Sequence, residues 1–249
     1  MAQETLKNLV DKSIKGIKLS ILRSIDLSEV VLDKNQILSL SDAIKTSKTV
    51  IFLDLSKVKL GNGGVNLLCS GLVENQSISS LKINKTGITT EGFKSISKML
   101  KVNKTLQSLD VSFNSITDQA ANYLAEALLL NESISSLVCF SCNLSSDSVN
   151  SMVHSFSQTD RLFLVSFEAN RIYDSSMKAI SEWIKKSTFL NTLNLAQNHI
   201  TAVCFFLPLP LPFPFPSLPF SVLLSLPSLY LSSPFSLSIS TFYSFYIYI

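Results

Sequence analysis

An apolar pattern recurs every 28 residues from Ile21 to Ile200, and this repeat constrains the fold more than any other feature of the sequence. The clearest copy is TLQSLDVSFNSITDQAANYLAEALLLNE, whose first half has the form L-x-x-L-x-L-x-x-N-x-I. A fixed period of this length indicates one supersecondary unit stacked on copies of itself. Seven consecutive segments share the spacing, and they begin at Ile21, Thr49, Ser77, Thr105, Ser133, Arg161 and Phe189.

Each segment changes its periodicity halfway along. The first half has the alternation of a short strand, whereas the second half places apolar residues such as Ala121, Leu124 and Leu128 at helical spacing. One unit is therefore predicted to be a strand followed by a helix. A single unit cannot bury both of its apolar faces, so neighbouring units are expected to share one continuous core.

The pattern resembles the ribonuclease-inhibitor-like class of leucine-rich repeats, which also occurs in the Ran GTPase-activating protein and in NOD-like receptors. The resemblance covers residues 21–200. It implies an α/β solenoid shaped as a horseshoe, with a parallel β-sheet on the concave face and α-helices on the convex face. The asparagine position of the pattern holds Val30, Val58 and Thr86 in the first three segments, which argues against a regular asparagine ladder there.

Three regions are expected along the chain. Residues 1–20 carry apolar side chains at helical spacing and are interpreted as a capping helix over the first repeat. Residues 21–201 form about six and a half repeats. Residues 202–249 are interpreted as a low-complexity tail that is disordered or non-native.

The tail stands apart by composition. Every charged residue lies at or before Lys186 and all eight prolines lie at or after Pro208, so the mean hydropathy of +0.33 joins two unlike compositions. Residues 205–221 contain only Phe, Leu, Pro and Ser, the four amino acids whose codons can be wholly pyrimidine. We interpret this segment as a translated intron or a gene-model overrun. A membrane anchor and a polyproline ligand are the alternatives, although the prolines interrupt any spanning helix.

Charge and cysteine usage limit the partners. The net charge is +3, and basic and acidic residues are interleaved, so nucleic acid is not expected as a partner. The first 20 residues contain no apolar run typical of a signal peptide, which predicts a cytoplasmic protein with reduced cysteines. Five glycosylation sequons are attributed to chance and to the residue pattern of the repeat, and they lie at Asn75, Asn84, Asn103, Asn131 and Asn143.

The chain offers few candidates for catalysis. Cys139 and Cys142 form a C-x-x-C pair, but both fall on repeat positions, so occupancy of the repeat explains them better than zinc or redox chemistry. His154 and His199 lack a nucleophile and carboxylate in a recognisable arrangement. The stretch 61–64, Gly-Asn-Gly-Gly, is interpreted as a turn into a helix rather than a phosphate loop. No enzyme activity, metal, cofactor or small-molecule ligand is expected.

The strand residues that point away from the core are the predicted binding residues, because alternate side chains of a strand reach opposite faces. These positions hold mostly small polar residues, with a few aromatic or aliphatic ones and several carboxylates. A protein with a basic patch would fit such a surface, although scattered exposed apolar residues without a function are an alternative. The predicted contact residues are Asp26, Phe52, Asp54, Lys82, Asp110, Phe140, Leu164 and Glu168.

The favoured function is a non-catalytic intracellular scaffold for protein–protein interaction, because the repeat supplies an extended surface and no catalytic constellation. Fold alone does not identify a partner. One alternative is a Ran-type GTPase-activating domain that uses Asn114, Asn170 or Arg171. Another is the ligand-sensing repeat region of a NOD-like receptor.

Overall fold

The computed structural model describes residues 2–201, 221–225 and 244–248. Helices and strands alternate along residues 2–194, and two further strands follow. The helices are α1 (Ala2–Lys18), α2 (Lys34–Thr46), α3 (Gly61–Glu74), α4 (Thr90–Val102), α5 (Asp118–Leu130), α6 (Ser146–Phe156) and α7 (Met177–Lys186). The strands are β1 (Ser24–Asp26), β2 (Phe52–Asp54), β3 (Ser80–Lys82), β4 (Ser108–Asp110), β5 (Ser136–Val138), β6 (Leu164–Ser166), β7 (Thr192–Asn194), β8 (Ser221–Ser225) and β9 (Ser244–Tyr248).

Strands β1 to β7 lie side by side in chain order and pair in parallel. Each residue faces the residue 28 positions further along, so Leu53 pairs with Leu81, Leu81 with Leu109, and Leu109 with Leu137. The predicted α/β solenoid with a parallel sheet is therefore confirmed, and its register equals the period of the sequence. Each of these strands is only three residues long.

The core runs unbroken between the sheet and the helices. The central residue of each of the strands β1 to β7 is at most 2% exposed, and the predicted helix positions Ala121, Leu124 and Leu128 are buried as well. Side chains of α1 join the same cluster, because Val10 and Ile17 are buried beside the first repeat. Every repeat thus buries its strand and its helix against the next repeat, as expected of a solenoid.

A left-handed residue ends every strand segment. The third residue after each of the strands β1 to β7 has a positive φ between 50° and 64°, although none of these residues is glycine. The backbone amide of this residue donates to the neighbouring repeat in most cases, as Phe113 does to the Phe140 carbonyl at 2.8 Å. The stacked backbone therefore holds a conformation that L-residues adopt at a cost. The residues are Glu29, Lys57, Lys85, Phe113, Ser141, Ala169 and Gln197.

An asparagine ladder connects the later repeats. The Oδ1 atom of Asn114 accepts from the Thr86 amide at 3.1 Å, and its Nδ2 atom donates to the Ile83 carbonyl at 2.8 Å. Asn170 and Asn198 make equivalent bonds to the repeats before them. At the same position Val30 and Val58 are buried apolar side chains, and Thr86 donates its hydroxyl to Ile83 at 2.9 Å. The ladder is thus absent where the sequence argued against it.

A second set of buried asparagines lies at the ends of helices α3, α4 and α5. Asn103, for example, donates Nδ2 to the Leu72 carbonyl at 2.7 Å and accepts from the Leu106 amide at 2.8 Å. Asn75 and Asn131 make the same pair of bonds to their own neighbours. Each asparagine therefore satisfies helix-end carbonyls of the preceding repeat. This structural role agrees with the attribution of these sequons to the repeat.

Strands β8 and β9 extend the sheet beyond the repeats. β8 pairs in parallel with β7, and β9 pairs antiparallel with β8. Both strands lie within the segment 202–249. The sequence of β9, SFYIY, is rich in residues enriched in strands, and pairing with β8 satisfies backbone groups at the edge of β7. The rest of that segment, 202–220, 226–243 and 249, lies outside the described residues.

Candidate functional site: the open face of the sheet

The sheet surface opposite the helices is the candidate functional site, and we call it the open face. In each repeat it comprises the two strand residues that flank the buried central one, together with the second and third residues after the strand. In the fourth repeat these are Ser108, Asp110, Ser112 and Phe113. Most open-face residues of repeats one to seven are half-buried or exposed, whereas Ser112, Ser166 and Ala196 are buried. All eight predicted contact residues belong to the open face.

The aspartates of this face also have a structural use that the sequence interpretation did not assign. Asp54 accepts a hydrogen bond from the Ser56 amide at 2.8 Å, and Asp26 accepts one from the Ser28 amide at 2.9 Å. Such bonds fix the turns after β1 and β2. Hydrogen bonds from Ser28 hold the pKa of Asp26 below its ordinary value, and Lys82 adds a smaller effect in the same direction. Asp26 is therefore a fixed anion at neutral pH.

The first three repeats carry mixed charge on the open face. The ammonium of Lys82 lies 5.3 Å from the centroid of the Phe52 ring, which covers that aromatic side chain with a cation. Lys57 forms an ion pair with Glu29, and each is the left-handed residue of its repeat. Asp54 faces Lys82 across β2 and β3. The predicted residues of this half are therefore brought together, but their charges largely offset one another.

The carboxylates of the later repeats are held by neutral donors. Asp110 accepts from Asn84 Nδ2 at 3.0 Å and from the Ser112 hydroxyl at 2.5 Å. Glu168 accepts from Asn194 Nδ2 at 2.7 Å and from Gln197 at 3.2 Å. Neither carboxylate forms an ion pair with another described residue. Both carboxylates are therefore held in place by neutral donors, and neither forms an ion pair, although Lys82 faces Asp110 across β3 and β4.

An aromatic pair occupies the same region. The rings of Phe113 and Phe140 meet edge to face with their centroids 4.9 Å apart. Phe140 was predicted from its column, whereas Phe113, which is 52% exposed, was not. The left-handed turn places Phe113 on the open face, although it is one residue out of the strand alternation. The signal was present in the sequence, because its 28-residue column holds no other large apolar side chain.

The cysteine pair is part of the core rather than of the open face. Cys139 and Cys142 are both buried, and the Cys142 thiol donates to the Val111 carbonyl at 3.4 Å from the position of a ladder asparagine. The hydrogen bond with Cys142, together with burial, raises the pKa of the Cys139 thiol well above its ordinary value. A thiol in this state is a poor nucleophile at neutral pH. Within the described residues, no three His, Cys, Asp or Glu side chains are grouped to hold a metal ion.

The remaining candidates for chemistry have local structural contacts. Exposed His199 stacks on Tyr173 at 4.9 Å, and exposed His154 lies 3.1 Å from the Gln158 amide nitrogen. The stretch 61–64 begins helix α3, with Gly61 at a φ of 56°.

None of the helices in the described residues has the length and hydropathy needed to span a bilayer.

The residues proposed for GTPase activation do not form a group. Asn114 and Asn170 are buried, and both use their amide nitrogen and oxygen on backbone partners. Arg171 alone of the three is exposed. The two asparagines are therefore not directed toward a bound partner.

Two segments of the chain, residues 102–125 and 186–203, match a family model described as Leucine Rich repeat. The first segment covers β4 and the first part of α5, and the second covers β7. The chain is a leucine-rich repeat protein. No curated protein matches this leucine-rich repeat chain.

Solved structures of low sequence identity resemble this leucine-rich repeat protein. Leiomodin-1 Actin-Binding Site 2 is 12% identical, with a TM-score of 0.44 and coverage of 71% of this chain and 87% of that one. The tropomodulin C-terminal domain of Caenorhabditis elegans is 16% identical, with a TM-score of 0.43 and coverage of 71% and 92%. TLR13 in its complex with ssRNA13 is 15% identical, with a TM-score of 0.49 and coverage of 78% and 28%.

Proposed function

We propose that this leucine-rich repeat protein is a non-catalytic scaffold that binds another protein on its open face. The observation that carries the proposal is the contrast between the two faces of the sheet. One face is buried and aliphatic, whereas the other presents small polar side chains around a few larger ones, among them Phe52, Phe140 and Leu164. Protein interfaces concentrate their binding energy in a few such anchors within a polar surround.

The dimensions of the open face support a macromolecular partner. Seven strands at about 4.8 Å spacing span roughly 29 Å, which exceeds the reach of a small ligand. The open-face residues of repeats one to seven include no histidine or cysteine, so these residues form neither a Ser–His nor a Cys–His pair. The 28-residue unit with a full α-helix also favours the ribonuclease-inhibitor-like class of repeats.

A triple variant tests the proposal. Phe52→Ser, Phe140→Ser and Leu164→Ser together remove the anchors, and serine occupies the same columns in other repeats, for example Ser24 and Ser56. We expect affinity capture with the full-length chain, quantified by mass spectrometry, to lose its specific partner with this variant. Loss follows because anchor side chains contribute most of an interface's binding energy.

The matched control changes three exposed apolar residues of the helices, namely Leu38→Ser, Val102→Ser and Leu129→Ser. This control is expected to retain the partner. Circular dichroism establishes that both variants are folded. If the helix variant loses the partner while the open-face variant keeps it, the binding surface has been assigned to the wrong side of the molecule.

A further inference from the structure

The open face is not uniform, and its apolar residues concentrate in repeats four to six. Phe113 and Phe140 pack together there. Val138 ends strand β5, two residues before Phe140, and Leu164 begins the next strand, β6. Both side chains are half-buried. We call these four side chains the apolar patch. Small serines surround it, including Ser108 and Ser136, so the patch is not covered by larger neighbours.

The two carboxylates that form no ion pair, Asp110 and Glu168, lie on either side of this patch. Asp110 faces Val138 across β4 and β5. Glu168 lies on the opposite side, where its carbonyl accepts from the Ser141 amide, next to Phe140, at 3.0 Å. From the strand spacing and rise, the two acidic residues are roughly 12 Å apart.

No described lysine or arginine forms an ion pair with either carboxylate. The open-face residues of repeats four to six contain no lysine or arginine. In the earlier repeats Lys57 pairs with Glu29. Lys82 faces Asp110 across β3 and β4, but its ammonium lies over the Phe52 ring. Lys85, in the third repeat, is exposed. A partner that buries the patch must therefore bring its own positive charge, or leave two carboxylates beside an apolar contact without compensation.

We propose that the apolar patch binds an extended segment of the partner protein in which one large apolar side chain is bracketed by lysine or arginine. The apolar side chain packs on Phe113 and Phe140, and the flanking cations reach Asp110 and Glu168. An extended chain rises about 3.3 Å per residue, so basic residues three or four positions apart match the carboxylate separation. This inference rests on the proposed binding function of the open face.

Selection from a random peptide library displayed on phage, with the full-length chain as bait, tests this proposal. Peptides with an aromatic or aliphatic residue between basic residues are expected to be enriched. Enrichment of acidic peptides, or of none, would overturn the proposal. A labelled synthetic copy of the strongest peptide then serves as the probe in fluorescence anisotropy.

Four single variants test where the labelled peptide binds. Phe113→Ser and Phe140→Ser are each expected to weaken binding at least about tenfold, as for interface anchors. Glu168→Gln keeps the side-chain shape and is expected to weaken binding severalfold and to reduce its salt dependence. Phe52→Ser, on the open face but outside the patch, is expected to weaken binding of the probe less than either phenylalanine variant of the patch.

The outcomes separate this inference from the broader function. If Phe52→Ser weakens binding while the patch variants do not, the open face binds proteins but the apolar patch is not the binding site. If no open-face variant alters binding, both proposals fail. Glu168→Gln decides the charge component even when a phenylalanine variant does not fold.

Discussion

Replacing Asn170 with alanine is expected to lower the free energy of unfolding by at least about 3 kcal/mol, since several buried backbone groups lose their partners. Its Oδ1 atom accepts from the amides of Cys142 at 3.0 Å and Leu144 at 2.9 Å. Its Nδ2 atom donates to the carbonyls of Cys139 at 2.8 Å and Phe167 at 2.9 Å. Urea unfolding followed by circular dichroism measures the loss.

Two further variants sharpen this test. Asn35→Ala changes an exposed asparagine of α2 and is expected to alter stability by less than about 0.5 kcal/mol. Asn170→Thr is expected to lie between the wild type and Asn170→Ala, because Thr86 at the same repeat position donates its hydroxyl to Ile83 at 2.9 Å. A loss below about 1 kcal/mol for Asn170→Ala would be incompatible with the ladder.

Gly71→Ala is expected to destabilise the protein by about 2 kcal/mol, although alanine has a higher helix propensity than glycine by about 1 kcal/mol. A Cβ atom on Gly71 would lie 2.4 Å from the carbonyl oxygen of Ser41 and 2.7 Å from its hydroxyl. The nearest obstacle is backbone, so α2 and α3 would have to separate. Thermal and urea unfolding both report the change.

The same helix supplies the matched control. Gly63 is exposed, and a Cβ atom there would meet nothing within 4 Å. Gly63→Ala is therefore expected to raise stability by about 0.5–1 kcal/mol through propensity alone. Opposite signs for the two substitutions are the expected result. An increase in stability for both would show that α2 and α3 do not approach as closely as described.

The stacking of the repeats was predictable because spacing alone determines it. Leu53, Leu81 and Leu109 are 28 residues apart, and aliphatic side chains at equal intervals can all be buried only when their strands align. The apolar residues at the asparagine position also predicted where the ladder is missing. Core contacts repeat from one unit to the next. The spacing of the sequence therefore predicts them with little information from distant parts of the chain.

The surface was less predictable because surface contacts need not repeat. Phe113 lies in a left-handed turn, so strand alternation does not place it on the open face. The cover that Lys82 forms over Phe52 depends on side-chain conformations that no periodicity specifies. The role of Asn103 at a helix end is similar, since its partners lie in the preceding repeat. Each of these contacts can be predicted only from the coordinates of two neighbouring repeats.

Cross-linking of paired cysteines most directly tests the claim that the 28-residue units stack in register with an accessible open face. Ser80 and Ser108 face each other on adjacent strands, whereas Ser136 lies one strand further on. The native Cys69, Cys139 and Cys142 are buried, and Cys204 is replaced with serine.

A one-carbon bis-methanethiosulfonate is then applied to the full-length chain, and the linked peptides are identified by mass spectrometry. We predict efficient cross-linking of Ser80→Cys with Ser108→Cys, whose strands are about 4.8 Å apart, and little cross-linking of Ser80→Cys with Ser136→Cys. Failure of the adjacent pair to cross-link, or equal yields for both pairs, would contradict the stacked sheet on which the proposed binding face depends.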